Sequence, residues 1–194
     1  GVIEDHRQQH LLRGHDMEIS SLAMSPSGSL IATGQCGSTR RKGYPSPVYL
    51  WNYATRTPLF VLEGLSKGVQ HLSFSPDQRF LLGCGGDHLV YVWDTNSGEL
   101  VTGKQYAESA TLGEWTAVKR SGRRDVYHIC LCIGSGIVVL EMNFDPARRQ
   151  WTLSGGPMTT PSSGLRRRYH CSALHDGGKF LLCGTDVGDL VVFG

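Results

Sequence analysis

Gly85-Gly86-Asp87-His88-Leu89-Val90-Tyr91-Val92-Trp93-Asp94-Thr95-Asn96-Ser97-Gly98-Glu99 decides how the rest of the chain is read. Gly and Asp on either side supply the backbone freedom and short-range hydrogen bonding that tight turns need. The β-branched and aromatic run between them, residues 89–93, suits a strand buried on both faces. The unit is a turn, an apolar strand ending in Trp-Asp, and a second turn. Its value depends on whether it recurs.

The pattern occurs four times, this stretch included. The first copy opens on Leu11-Leu12-Arg13-Gly14-His15, continues through strand-like residues 19–25, the turn Pro26-Ser27-Gly28 and residues 30–33, and closes on Val48-Tyr49-Leu50-Trp51-Asn52. The second repeats that order with residues 69–75, the turn Pro76-Asp77, residues 80–84 and residues 89–93. The third is weaker (115–118, 126–132, 137–140), and the fourth runs 169–174, 180–183 and 190–193. The closing residues Trp51, Trp93, Leu140 and Phe193 lie 42, 47 and 53 positions apart. A further short strand follows three of the copies, at residues 59–62, 100–102 and 151–153. Pro58 opens the first of these, which places that strand on a sheet edge, because proline has no N–H for a ladder.

A strand closing on Trp-Asp, within a pattern repeated at this spacing, resembles the WD40 repeat, whose period is about 40–45 residues. The first interval fits and the later two carry insertions. Four strands per copy is the composition of a propeller blade. The expected fold is therefore all-β: a WD40 β-propeller segment of about four blades of four-stranded antiparallel sheet. The expected blades are residues 14–62, 63–103, 110–153 and 165–194, with residues 7–12 an outer strand of a preceding blade. No stretch sustains a 3.6-residue apolar period, so almost no helix is expected. An open arc of four blades would leave apolar faces exposed, and the chain begins with Gly1 and not Met, so a fragment of a larger propeller is expected.

Composition narrows the classes. The chain has 194 residues, a net charge of +2 and 40% hydrophobic content, as in an ordinary globular unit. No apolar run approaches the roughly 18 residues of a membrane span, and no signal peptide is visible at the start. Charge this close to neutral argues against a general nucleic-acid binder. Five of the six cysteines sit in strand-like runs, where free Cys behaves as a small buried hydrophobe; reduced thiols in a cytosolic or ciliary compartment are expected.

Several fragments of chemistry fail on spacing. Residues 98–105 fit seven positions of a phosphate-binding loop, but Gln105 stands where Ser or Thr should ligate magnesium, and the middle is itself strand-like. Cys130 and Cys132 lack the paired spacings of zinc sites. Gly134-Ser135-Gly136 is too short for a nucleophile elbow. No catalytic, metal or cofactor-binding residues are assigned, and no cofactor is expected. His15, Thr33, Trp51, Asp87 and Trp93 occupy the positions where WD40 repeats place a structural hydrogen-bond network. Basic clusters occur at residues 40–42, 123–124, 148–149 and 166–168, all in expected turns or loops. Two of them fall in long insertions, residues 34–47 and 154–168; a third polar connection spans 103–114. Binding commonly resides on long loops over a rigid scaffold. Arg40, Arg41, Lys42, Tyr44, Arg166, Arg167 and Arg168 are the candidate protein interface, since guanidinium forks recognise carboxylates.

Gly14-His15, Leu22-Ala23, Ser25, Gly28, Ile31-Ala32 and Gly34-Gln35, followed by the delayed Val48-Tyr49-Leu50-Trp51, resemble a repeat of the cilia- and flagella-associated protein fifty-two family. Residues 137–142, Trp151 and residues 184–190 are similar to its following blades. The resemblance implies a non-enzymatic structural scaffold of motile cilia, lying inside the axonemal doublet as a microtubule inner protein. Its implied partners are tubulin and other axonemal proteins in a large assembly, with no nucleic acid and no membrane, and its implied location is the cytoskeleton of the cilium or flagellum. The Ile-Ala-Thr-Gly-Gln segment is also similar to propellers of the echinoderm microtubule-associated type, the alternative reading. A soluble WD40 adaptor for peptide partners is a third. Repeat two departs from the pattern, with Leu65 in place of the repeat's His, and repeats three and four carry Leu140 and Phe193 in place of Trp.

Overall fold

The computed structural model describes residues 11–121, 124–158 and 167–194; of residues 120, 121 and 124 it describes the backbone alone. Each sheet is an antiparallel meander. The first holds β1 (Ile19–Met24), β2 (Leu30–Gln35), β3 (Val48–Asn52) and β4 (Thr57–Leu62), and the second β5 (Val69–Phe74), β6 (Phe80–Gly85), β7 (Leu89–Asp94) and β8 (Leu100–Gln105). The third holds β9 (Ala110–Ser121), β10 (Arg124–Ile133), β11 (Gly136–Asp145) and β12 (Gln150–Pro157). β13 (Tyr169–His175), β14 (Phe180–Thr185) and β15 (Leu190–Phe193) make a three-stranded fourth sheet. Among the described residues the only helical element is a single 3-10 turn, Asp176–Gly178.

The first strands of successive sheets touch, β1 against β5, β5 against β9 and β9 against β13, so the sheets are arrayed side by side about their inner strands. Strand parity then sorts the loops. The β2–β3 and β4–β5 connections emerge at one end, together with their equivalents in every sheet, and the β1–β2 and β3–β4 connections at the other. At that second end the same turn is built twice. The Ser25 amide donates to the Leu30 carbonyl and the Leu30 amide to Ser25 Oγ; Ser75 and Phe80 make the same pair of bonds.

The two-residue period of the strands builds the core. In β6 every residue is buried, and alternate side chains serve different neighbours. Phe80, Leu82 and Cys84 pack with Trp115, Tyr127, Ile129 and Leu140 of the third sheet. Leu81 faces the other way and packs with Val48, Leu50, Leu65 and Leu72 against the first sheet. A smaller cluster of Leu112, Cys132, Ile137, Tyr169, Leu181 and Cys183 joins the third sheet to the fourth. Close approach of the sheets demands glycine in places. A Cβ on Gly34 would lie within 2.7 Å of the Val69 side chain, and one on Gly113 within 2.8 Å of Leu82. Beyond the first and fourth sheets the apolar faces are open, with Leu22 and Leu190 each about two-thirds exposed.

The all-β architecture matches the sequence reading, and Pro58 does lie in the edge strand β4, opposite Trp51. The connections differ. Residues 103–105 continue β8, 110–114 open β9 and 154–157 extend β12. Their Gly and polar residues suggested loops, but Gly113 is a packing requirement inside β9, and Gly155 takes φ +123° beside the Val139 carbonyl within β12. Of the strand expected over 7–12, residues 7–10 lie outside the described chain, and 11 and 12 are not in a strand. Cys171, read as buried with the other strand cysteines, is exposed on β13.

Candidate interaction surface at the loop end

A polar chain runs from the core of the first sheet to its longest loop. Trp51 is 2% exposed, and its indole N–H donates to Thr33 Oγ1 at 2.8 Å. Thr33 Oγ1 lies 2.7 Å from His15 Nε2, and His15 Nδ1 lies 2.9 Å from Gln35 Oε1. Thr33 has one hydroxyl hydrogen, and its oxygen already accepts from Trp51. Gln35 Oε1 can only accept, so the imidazole hydrogen sits on His15 Nδ1, and the Thr33 hydrogen is directed at His15 Nε2. The Gln35 amide then donates to Asp16 Oδ1 at 2.9 Å, and the Tyr44 hydroxyl donates to Asp16 Oδ2. Rings reinforce the chain: Tyr49 stacks on Trp51 at 5.3 Å, meets His15 edge-on at 4.6 Å, and gives its hydroxyl hydrogen to the Gly14 carbonyl.

Of the five residues at the repeats' network positions, this chain of bonds contains His15, Thr33 and Trp51. Asp87 and Trp93 lie elsewhere. Asp87 Oδ2 accepts the Ser66 amide at 2.6 Å and the Ser66 hydroxyl at 2.9 Å. Gly83, which pairs with Tyr91 as Thr33 pairs with Tyr49, offers no hydroxyl to Trp93. A Cβ there would come within 2.6 Å of the Trp93 ring, and Leu65 packs over the same spot. The second sheet replaces the His–Thr–Trp chain by apolar contact, as Leu65 in the histidine position foreshadows.

The insertion is tied down. Residues 36–47 leave β2 and return to β3, and isolated bridges pair Cys36 with Gly68 and Pro45 with Ser66 of the β4–β5 connection. The Ser46 amide donates to the Leu65 carbonyl, and Ser46 Oγ accepts from the Gly68 amide, both at 2.9 Å. Gly37 lies so close that a Cβ would meet the Lys67 backbone at 2.4 Å. Residues 40–42 at the tip are exposed, with the Arg41 guanidinium 5.1 Å from the centre of the Tyr44 ring. Tyr44 and Gln35 hold the Asp16 carboxyl below its ordinary 3.8, and the same bond raises the Tyr44 phenol.

The second triplet sits at the same end of the sheets, and its chemistry is different. Arg166 lies outside the described residues. Arg167 is bonded through Nε and Nη2 to Asp189 Oδ2 at 2.7 and 2.6 Å, and the Arg168 backbone exchanges hydrogen bonds with Asp186. Arg123 also lies outside the described residues, and Arg148 and Arg149 occupy the β11–β12 turn at the opposite end. The phosphate-loop fragment is a turn at Gly98 followed by edge strand β8 and no helix. Among the described residues no group of three or more His, Cys, Asp or Glu is placed to hold a metal. Burial pushes the Cys84 and Cys130 thiols up to about 12, so both behave as protonated core residues. Sequence reasoning missed Gln35, Asp16 and Lys67. The spacing of Thr33 and Gln35 on one face of β2 was the available signal for Gln35; Lys67 arrives through tertiary contacts that no local pattern encodes.

The WD40 family model, described as WD domain, G-beta repeat, matches residues 6–40 and 56–94. Those two stretches match the WD40 repeat. The chain is 31% identical over 95% of its length to Cilia- and flagella-associated protein 52 of Homo sapiens, of which it spans 28%. It is 28% identical over 97% of its length to Echinoderm microtubule-associated protein-like 2 of Mus musculus, spanning 33% of that protein. Among solved structures, the Cps50 (Swd1) beta-propeller domain of Myceliophteria thermophila superposes with a TM-score of 0.68 at 16% identity, covering 92% of this chain and 52% of that one. The chain thus has the fold of a β-propeller segment, and it spans 28% and 33% of the lengths of these two curated relatives.

Two outcomes test the polar chain. Thr33→Val leaves the Trp51 N–H and one His15 nitrogen without partners, and should lower unfolding free energy by about 1–3 kcal/mol in denaturant titration. Asp16 has a depressed pKa, so its bond to Tyr44 contributes fully above the ordinary carboxylate range and is lost only as pH falls through the lowered value. Carboxyl-carbon NMR should place the Asp16 midpoint below 3.8 and move it upward in Tyr44→Phe.

Proposed function

We propose that this WD40 chain belongs to a non-enzymatic structural scaffold of motile cilia, a microtubule inner protein of the axonemal doublet that contacts tubulin and neighbouring lumenal proteins. The observation that carries the reading is similarity across 95% of the chain to a protein named for cilia and flagella. The braced cationic loop at residues 38–44 adds physical support. A loop whose two legs are hydrogen-bonded to the neighbouring sheet presents Arg40, Arg41 and Lys42 with little ordering left to do on binding, which favours a fixed protein contact. Tubulin is an acidic partner of the kind guanidinium groups recognise. The propeller fold and the relatives' names point to a scaffold without catalysis.

The similarity to a protein named as microtubule-associated favours a second reading, a binder of the outer microtubule surface. The two differ in how salt acts. At about 0.6 M salt the screening length falls to about 4 Å, which releases a peripheral, electrostatically held protein but not one enclosed within the doublet. Antibody against this chain, applied to salt-extracted axonemes, should find it retained in the doublet fraction. Release at moderate salt would support the outer-surface reading, and absence from axonemes would defeat both.

A further inference from the structure

The fold adds a residue to the cationic loop that its sequence does not contain. The bridges of Cys36 to Gly68 and Pro45 to Ser66 bring Lys67, at φ +58° between them, to the foot of the insertion. Lys67 there lines a cavity of about 300 Å³ together with Arg40, Arg41, Lys42, Ser38 and Tyr44. We infer that Arg40, Arg41, Lys42 and Lys67 form one composite site for a carboxylate-rich peptide segment, formed jointly by the first sheet's insertion and the connection into the second sheet. This deepens the reading of residues 38–44 as a protein contact and rests on it.

The charges are available. Among the described residues Arg40, Lys42 and Lys67 make no ion pair, whereas Arg167 is committed to Asp189. Arg40 and Arg41 share one nearby carboxylate, Asp16, whose oxygens are held by Tyr44 and Gln35. The site is also held in place. Lys67 cannot drift from the loop while Gly37 lies against its backbone, and the Arg41 amide is fixed to Ser38 Oγ at 3.1 Å.

The chemistry favours carboxylates on a peptide over a nucleic acid. Strand binding to nucleic acid draws on exposed aromatic faces for stacking. The one aromatic lining this cavity, Tyr44, has Arg41 over its ring and its hydroxyl on Asp16. Asp16 also lines the adjoining cavity beside Arg40 and Arg41, where it would repel a continuous phosphate backbone. Discrete carboxylates can meet the cations one by one and avoid it.

Fluorescence anisotropy with a labelled oligoglutamate peptide and the purified chain tests the assignment. Lys67→Glu should weaken binding about fivefold to tenfold at physiological salt, Lys67→Gln by less, and reversal of residues 40–42 should abolish it. Arg148→Glu/Arg149→Glu at the opposite end should leave it unchanged, and circular dichroism should find every variant folded. Loss on reversal of 40–42 with no effect of either Lys67 variant would overturn the composite site while leaving the loop contact standing. No affinity of the unaltered chain for the peptide would overturn the ligand class whatever the axonemal result. An oligonucleotide that binds with the same variant dependence would overturn the preference for carboxylates.

Discussion

An indole N–H buried at 2% exposure has to find an acceptor inside the protein, and that requirement at Trp51 organises the first blade. Thr33 accepts from it, His15 from Thr33, Gln35 from His15, and Asp16 from both Gln35 and Tyr44. The series begins at the buried indole and ends on the exposed Asp16. The last acceptor is a carboxylate at the surface, where its charge remains solvated. The interior therefore fixes a loop residue, Tyr44, through bonds whose directions leave one consistent arrangement. A core constraint has become a constraint on the molecular surface.

The second blade shows what happens without that requirement being met by polar groups. Leu65 and Gly83 occupy the histidine and threonine places, and Trp93 sits between them by packing. Its β6–β7 turn is short, residues 86–88, and is closed by Asp87 on Ser66. The polar chain and the long insertion occur together in the first sheet, and both are replaced in the second. The two halves also interlock, since the legs of the first sheet's insertion bond to the connection that leads into the second. Adjacent blades are joined at this end by backbone as well as by the apolar clusters between their faces.

Much of this was legible in the sequence because strand burial has period two. Phe80, Leu82 and Cys84 alternate with Leu81 and Gly83, and the fold sends the two sets to different neighbours. The closing Trp51 and Trp93 were readable from the repeat, and Pro58 on its edge strand from the N–H that proline lacks. Residues 110–114 and 154–157 were not, because Gly113 and Gly155 look like loop residues until the neighbouring sheet that requires them is present. The candidate surface was half legible. Arg40 to Lys42 announce themselves as a run of charge, whereas Lys67 joins them only through the bridges at Cys36 and Pro45, and Arg167 leaves them only through its pair with Asp189. Charge runs are local information; which charges are spent or shared is tertiary information.

The central claim is that the insertion is a braced part of the blade and not a loose appendage. Amide hydrogen exchange of the free chain reads this directly. Cys36 donates to the Glu18 carbonyl at 2.8 Å, Ser46 to Leu65 and Gly68 to Ser46 Oγ, whereas the tip at residues 39–42 is exposed. Protection of Cys36, Ser46 and Gly68 comparable to that of β2 and β3, with fast exchange confined to the tip, is the predicted result. Unprotected exchange at those three amides while β2 and β3 remain protected would show the loop detached from the fold, and would contradict the account.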